Sequence, residues 1–407
     1  MKASRRWGTA ALGIAIVVVL GLGITTGSRP DAIAGVLGSD GLDPVADAPV
    51  VVAAPTPVVH ITPDPGTTLA PSKPIQVAVT DGTVQAVHVT NRATGKAVDG
   101  TLAADGHGWT STGDLAYGAT YAVAVDTLDR GGAPGHTDGA VSTVAPKLQA
   151  YPSFVPAPNS VPTVGVGQPI VVRFDHPIKD RAAAEKALTV TSSPAQTGSW
   201  YWISSTEVHY RPQQYWQPGT TLTVKADLYG VDLGNGTYGS TDRTMTLTVH
   251  DAWVAKADGA SESMQIFDNG RLVKTMKISL GSPGFPSHIG PHVISDKQPS
   301  IIMDSCTYGV CAGQPGYYRE KVDLDLRISN DGEFVHSAPW SVGQQGNSNV
   351  SHGCVNLAPT DAQWFFDHFG IGDVVEITNS GGPRLPVYDT YGDWELDWAA
   401  WQAGSAL

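Results

Sequence analysis

Cysteine is almost missing from this chain: there are three in 407 residues, and none falls between 58 and 146. An inter-sheet disulfide is therefore excluded from that stretch. No cysteine follows the apolar N-terminus either, which excludes a lipoprotein anchor. Basic charge is also scarce, with 25 Lys and Arg against 38 Asp and Glu and a net charge of −13. A nucleic-acid partner wants a basic face, so that class is set aside. Charged residues of both signs reach only 15%, while 46 Gly and 29 Pro punctuate the chain. Such a composition suits short strands and many turns better than helical bundles. At this length two to four domains are expected, each able to bury its own core.

What is present begins with an export signal. Lys2, Arg5 and Arg6 precede an almost unbroken apolar run from Trp7 to about Thr26. At ~1.5 Å per residue the run spans a ~30 Å hydrocarbon core, and its positive flank keeps the N-terminus cytoplasmic. Residues 1–27 are thus expected to anchor the chain in a membrane, or to act as a signal cleaved at Ala32-Ile33-Ala34. Either way the body faces an oxidising exterior. Residues 28–57 read as a Pro- and Ala-rich linker, in which Pro44, Pro49, Pro55 and Pro57 block regular structure.

From 58 to 146 short β-runs such as Pro74–Val79, Val84–Asn91 and Thr120–Asp126 alternate with Asp-Gly turns. That spacing suggests a β-sandwich, with Trp109 a candidate core aromatic. A second β-unit runs from 147 to 250, with one short helix at Asp180–Ala187. A third unit begins near Asp251. There Asp268-Asn269-Gly270 between two β-runs is a strong hairpin signal. A helix follows the last cysteine, with Thr360 and Gln363 spaced as a capping box and Ala362, Phe365, Phe366 and Phe369 on one face. Trp394, Trp398 and Trp401 share a helical face in the C-terminal tail, which is expected to pack back on the third unit.

Cys306 and Cys311 lie close together, whereas Cys354 sits alone in Ser351-His352-Gly353-Cys354-Val355-Asn356. A thiolate is a nucleophile, and a nearby imidazole is the usual means of generating one. His352 lies two residues away and His336 eighteen residues upstream. Taking His336 as base, Ser337 would fix its ring through a carbonyl or hydroxyl. Gly353 permits a sharp bend that would aim the N–H groups of Gly353 and Cys354 at a substrate carbonyl oxygen. Each such donor is typically worth ~2.7–4 kcal/mol at the transition state. Asn356 would donate from behind or hold the loop. A cysteine acyl-transfer enzyme is the reading these residues support, against a Cys354 that is only a small buried hydrophobe.

His336-Ser337 followed by Ser351-His352-Gly353-Cys354-Val355-Asn356-Leu357 resembles the signature of the L,D-transpeptidases, the YkuD-type catalytic domain. Phe174-Asp175-His176-Pro177-Ile178, Tyr215-Trp216-Gln217-Pro218-Gly219-Thr220 and Met303-Asp304 are similar to stretches of the mycobacterial-type subgroup with tandem immunoglobulin-like domains. The resemblance covers nearly everything from about 147 onward. It implies a mainly β fold, with two immunoglobulin-like β-sandwich domains at 58–146 and 147–250. A β-rich catalytic domain follows at 251–379 with one short helix, then a helical tail at 380–407 packing on it.

The resemblance also implies a reaction, in which the Cys354 thiolate attacks the diaminopimelate carbonyl of a tetrapeptide stem and expels D-alanine. A second stem's amine then resolves the thioester into a 3→3 cross-link. Peptidoglycan stem peptides are the implied partners, carbapenems the implied inhibitors, and no cofactor is needed. His352, Gly353 and Asn356 would shape the oxyanion and substrate pocket. Residues 300–332 would form a lid, with Met303, Tyr308, Tyr318 and Gly332 as substrate contacts. Tyr317 beside Tyr318 leaves a one-residue ambiguity. Cys306 and Cys311 depart from the family in lying on that lid, and a disulfide between them is expected to add roughly 2 kcal/mol at most.

Other readings remain open at this point. Asp232, Asn235 and Gly236 offer a calcium-type turn, although three candidates are few for that ion. Zinc held by Cys306, Cys311, His352 and Cys354 is a second possibility. An inert wall-binding protein and an L,D-carboxypeptidase complete the alternatives.

Overall fold

The computed structural model describes residues 54–407, Pro162 excepted. The N-terminal anchor or signal and most of the linker lie outside the described residues. No helix among the described residues is long and apolar enough to cross a membrane.

Alternating strands build the first sandwich. Strands Val58–Thr62, Gln76–Thr80, Gly108–Ser111 and Gly100–Leu102 form one sheet, and a five-stranded sheet centred on Pro134–Thr143 and Thr120–Asp129 faces it. In Thr120–Asp129, Tyr121, Val123 and Val125 point inward to meet Val77, Val79, Val84 and Trp109. This is the period-two pattern of a sheet with one wet face. The second sandwich pairs two four-stranded sheets around Trp200, Trp202, Trp216, Leu222 and Leu247. Its helix, Arg181–Lys186, starts where Asp180 Oδ1 accepts from the Ala183 N–H at 2.9 Å. Tyr117 ties the two sandwiches together: its hydroxyl donates to Gly239 O at 2.7 Å and accepts from Gly230 N–H at 2.8 Å.

The strands from Trp253 onward form a nine-stranded sheet. Its hairpin turns at Asn269 and Gly270, whose φ angles of 48° and 80° are those of a two-residue type I′ turn. Helix Pro359–His368 covers the sheet, burying Ala362 and Phe365 against Ile278, Val335, Val355 and Leu357. The expected capping box is absent. Ala358 is the N-cap with no side-chain bond, and Pro359 starts the helix. Proline's fixed φ and missing N–H serve there instead. Gln363 bonds Asp367, one turn on.

The tail departs most from expectation. It does not pack on the third unit alone but clamps the second sandwich. The Trp401 indole donates to Ser199 O at 2.8 Å, and Glu185 accepts from Ser405 Oγ and Ala406 N–H at 2.6 and 2.7 Å. Trp394 lies in a 3₁₀ turn and Trp398 and Trp401 in helix Trp398–Gln402, yet all three rings surround the Arg211 guanidinium. A buried cation over three aromatic faces is the cause. On its other flank, Glu395 pairs with Arg384 at 3.0 Å.

His209 completes the clamp. Its Nδ1 is 2.8 Å from Asp393 Oδ1 and its Nε2 2.8 Å from Glu207 Oε1. Burial disfavours its charge, but the two carboxylates outweigh that and raise it to about 9. Glu207 is disfavoured by burial too, yet His209 and Arg173 hold it at about 2. The folded state therefore binds the His209 proton more tightly than the unfolded chain. The stability this group contributes is complete below ~pH 6.5 and is lost as pH rises through about 9. Denaturant midpoints measured at ~pH 6.5 and above pH 9 are expected to fall across that interval, and His209→Gln to flatten the slope.

Candidate active site

Two short parallel strands, Phe334–Ser337 and Val355–Leu357, position the chemistry. Their register sets His336 opposite Asn356. Side chains two apart on a strand share a face, so Cys354 emerges on the same side as Asn356 and His336. These three, with Met303, Tyr318, Trp340 and His352, line a cavity of ≈280 Å³. Gly332 lines a smaller neighbouring cavity of ≈100 Å³ that shares Met303 and Tyr318. A larger cavity, ≈740 Å³, is lined by residues of both sandwiches.

His336 Nδ1 lies 2.9 Å from Ser337 O. A carbonyl oxygen can only accept, so Nδ1 carries the proton and Nε2 presents its lone pair. It is the Ser337 main chain, not the hydroxyl, that sets this tautomer. Burial drives the His336 ring down to about 4, against the Ser337 carbonyl and Asn356, which favour its charge. Asn356 Nδ2 donates to Ser341 Oγ at 3.1 Å, while its Oδ1 is buried without a hydrogen-bond partner. That oxygen is available to an imidazolium.

Cys354 is buried, and its Sγ lies 3.7 Å from Gly332 O. Burial pushes the thiol up to about 12. Burial thus favours the neutral form of each group taken by itself. Desolvation disfavours the thiolate, and it outweighs the Phe334 main chain and the Arg327 charge, which favour it.

The loop carrying the thiol is held from within. Ser351 Oγ donates to Cys354 O at 2.7 Å and accepts from Gly353 N–H at 3.1 Å. The Gly353 N–H is therefore engaged rather than aimed at a substrate, which leaves the Cys354 N–H as the candidate oxyanion donor. Gly353 has a φ of 116°, which side chains resist, and a Cβ there would sit 3.3 Å from Glu333 Oε1. Ser287 Oγ donates to Gly353 O at 2.5 Å. The His352 ring lies between those of Tyr318 and Phe285, at 5.2 and 4.8 Å between centroids.

The expected lid is an ordered ribbon. Strands Asp296–Asp304 and Arg319–Arg327 pair along their length at the edge of the nine-stranded sheet. Their tip carries a 3₁₀ turn, Ser305–Tyr308, and the Cys306–Cys311 disulfide. Tyr318, not the exposed Tyr317, lines the cavity. The Tyr308 side chain lies outside the described residues. With two cysteines joined, the zinc set built on four soft ligands is dismantled, and Cys354 is the free thiol. Asp232 spends its oxygens on its own turn, accepting from Gly234 N–H at 2.9 Å and Tyr238 OH at 3.2 Å. Asn235 and Gly236 supply the positive φ angles of that turn, 57° and 77°.

Ser351 stood in the motif without a role, and Ser341, Trp340 and Glu333 carried no signal at all. Only the spatial neighbourhood of Asn356, His336 and Gly353 reveals them.

Two family models match consecutive parts of the chain. A bacterial Ig domain matches residues 66–232, spanning both sandwiches, and an L,D-transpeptidase catalytic domain matches 253–377. The class is therefore a modular β protein with Ig-type domains ahead of an L,D-transpeptidase catalytic unit. L,D-transpeptidase 2 of Mycobacterium tuberculosis is 41% identical over 333 residues, covering 82% of this chain and 81% of that protein. L,D-transpeptidase 5 of the same species is 34% identical over 351 residues, covering 84% and 76%. A solved structure of the LD transpeptidase LdtMt1 in complex with imipenem is 34% identical, with a TM-score of 0.49, covering 56% of this chain and 97% of that one. With 41% identity across four-fifths of both proteins, the chain belongs to the L,D-transpeptidase family.

Proposed function

We propose that this chain is an envelope enzyme that cross-links peptidoglycan 3→3 through a Cys354 thioester. The observation that carries the reading is the shared cavity of Cys354 and His336, with the imidazole lone pair freed by Ser337 O. The Cys354 proton passes to His336 as sulfur attacks the diaminopimelate carbonyl of a tetrapeptide donor. Because the resting pair is neutral, proton transfer and attack proceed together. The Cys354 N–H faces the oxyanion, and the buried Asn356 Oδ1 favours the transient imidazolium. Collapse breaks the C–N bond, and His336 returns its proton to the departing D-alanine amine. The side-chain amine of a second stem then attacks the thioester, losing its proton to His336, which passes it back to sulfur. The thioester keeps the acyl group activated, so no cofactor enters.

Met303, Tyr318 and Gly332 would line the donor channel, with Tyr308 on the ribbon tip. A carbapenem would acylate the same sulfur by ring opening. The N-terminal segment would hold the protein at the outer face of the cytoplasmic membrane.

The test is incubation with a tetrapeptide-stem muropeptide, followed by mass analysis. Loss of D-alanine together with dimers of the stem supports transpeptidation. Loss without dimers assigns an L,D-carboxypeptidase, in which water replaces the amine. No loss at all would leave a non-catalytic wall-binding protein.

A further inference from the structure

Behind the catalytic loop, one group of ligand-type side chains has no part in the acyl transfer. His288 Nδ1 lies 3.1 Å from Glu333 Oε1 and 3.6 Å from Asp331 Oδ2. The ligand atoms of His288, Asp331 and Glu333 all fall within 4.8 Å of one another. Ligands at ~2.0–2.1 Å around tetrahedral zinc stand ~3.3 Å apart, the edge of that tetrahedron. The two histidine–carboxylate distances bracket this value. Asp331 Oδ1 is hydrogen-bonded to Ser329 Oγ, which orients the carboxylate.

A second observation points to the same place. Glu333 Oε2 and His292 Nε2 stand 3.4 Å apart, and both atoms are buried without a hydrogen-bond partner. His292 is 0% exposed and Glu333 5%. Buried polar atoms left unpaired are costly and rare. A carboxylate bound through both oxygens, or oriented from behind by a second imidazole, removes that cost.

We propose that His288, Asp331 and Glu333 bind a zinc-type divalent cation, with His292 supporting Glu333 from behind. One imidazole nitrogen and two carboxylates, with water completing the shell, suit zinc better than the oxygen-only calcium or magnesium. Asp331 is half exposed and gives the ion a way in. The role is structural. Glu333 abuts Gly353, and the neighbouring Gly332 carbonyl faces the Cys354 sulfur. A bound cation therefore pins the floor on which the thiol loop rests.

The competing state is a protonated His288 paired with the same carboxylates. Proton and metal compete for one Nδ1 lone pair, so the two are separable. Zinc chloride is titrated calorimetrically into full-length Cys354→Ala protein, which removes the soft thiol as a rival ligand. Metal content is measured after dialysis. One zinc per chain is expected, with release of the His288 proton and a rise in Tm. Asp331→Asn and His288→Ala should each weaken binding by at least ~10-fold and abolish the Tm rise. Asp331→Asn lies at a half-exposed position, so it keeps the test alive if His288→Ala folds poorly. Absence of saturable zinc binding, or one-site binding unchanged in both variants, would overturn the proposal.

Discussion

Cys354→Ala is expected to leave the chain folded and to lower D-alanine release from a tetrapeptide stem by at least ~10⁴-fold, as loss of a covalent nucleophile does. The fold should survive because the sulfur is one member of a small apolar group with Met303, Val322 and Phe334. The same variant should lose the carbapenem mass adduct entirely. An adduct that persists in it would put the nucleophile elsewhere. His336→Ala should slow both reactions by ~10²–10⁴-fold, the range for a general base. The pH profile tests the resting state separately. With His336 held at about 4 and Cys354 at about 12, acylation should be nearly level between ~pH 5 and ~pH 9. It should fall only as pH drops through about 4, where the imidazole becomes protonated and stops accepting. A bell centred near neutrality would instead show a preformed ion pair.

The second large effect is expected far from the thiol, at Arg211. Its guanidinium lies 4.5, 4.7 and 5.7 Å from the ring centres of Trp401, Trp394 and Trp398. It donates to Asp393 O at 3.1 Å and to Leu396 O at 2.7 Å. Burial pulls it down only to about 10, so it stays charged at neutral pH. Arg211→Ala strands one buried and one part-buried carbonyl and hollows the space between three indoles. A loss of about 3–5 kcal/mol is expected, read as a lower denaturant midpoint. The tail beyond Arg384 should become protease-sensitive at the same time. Arg211→Lys keeps the charge but not the planar fork, and should fall between the two. A loss under ~1 kcal/mol for the alanine variant would show the clamp to be ornamental.

Local signals explain what could be read without coordinates. Asn269-Gly270, the short helix after Asp180 and the β-run starting at Thr120 each depend on signals a few residues long, and each formed as expected. The site signature was legible because the motif places Cys354 and Asn356 two apart, on one face of a strand. What escaped depends on distance in sequence. Arg211 meets tryptophans that lie beyond residue 390, and the helical spacing of those tryptophans suggested a single face that the chain splits between two turns. The neutral thiol and imidazole escaped for another reason. Motif spacing carries no measure of desolvation, and it is burial that separates the two groups. The capping box failed because Pro359 fits the first helical position without it.

A thiol kept protonated has one more consequence. Peroxides and disulfides react with thiolates, so a sulfur pushed up to about 12 presents almost no target to passing oxidants between turnovers. On the proposed mechanism, the seclusion that makes His336 act only when a carbonyl arrives would also protect Cys354 from sulfenic acid and mixed disulfides. Longevity in an oxidising environment and dependence on substrate for activation are here two results of one dry pocket.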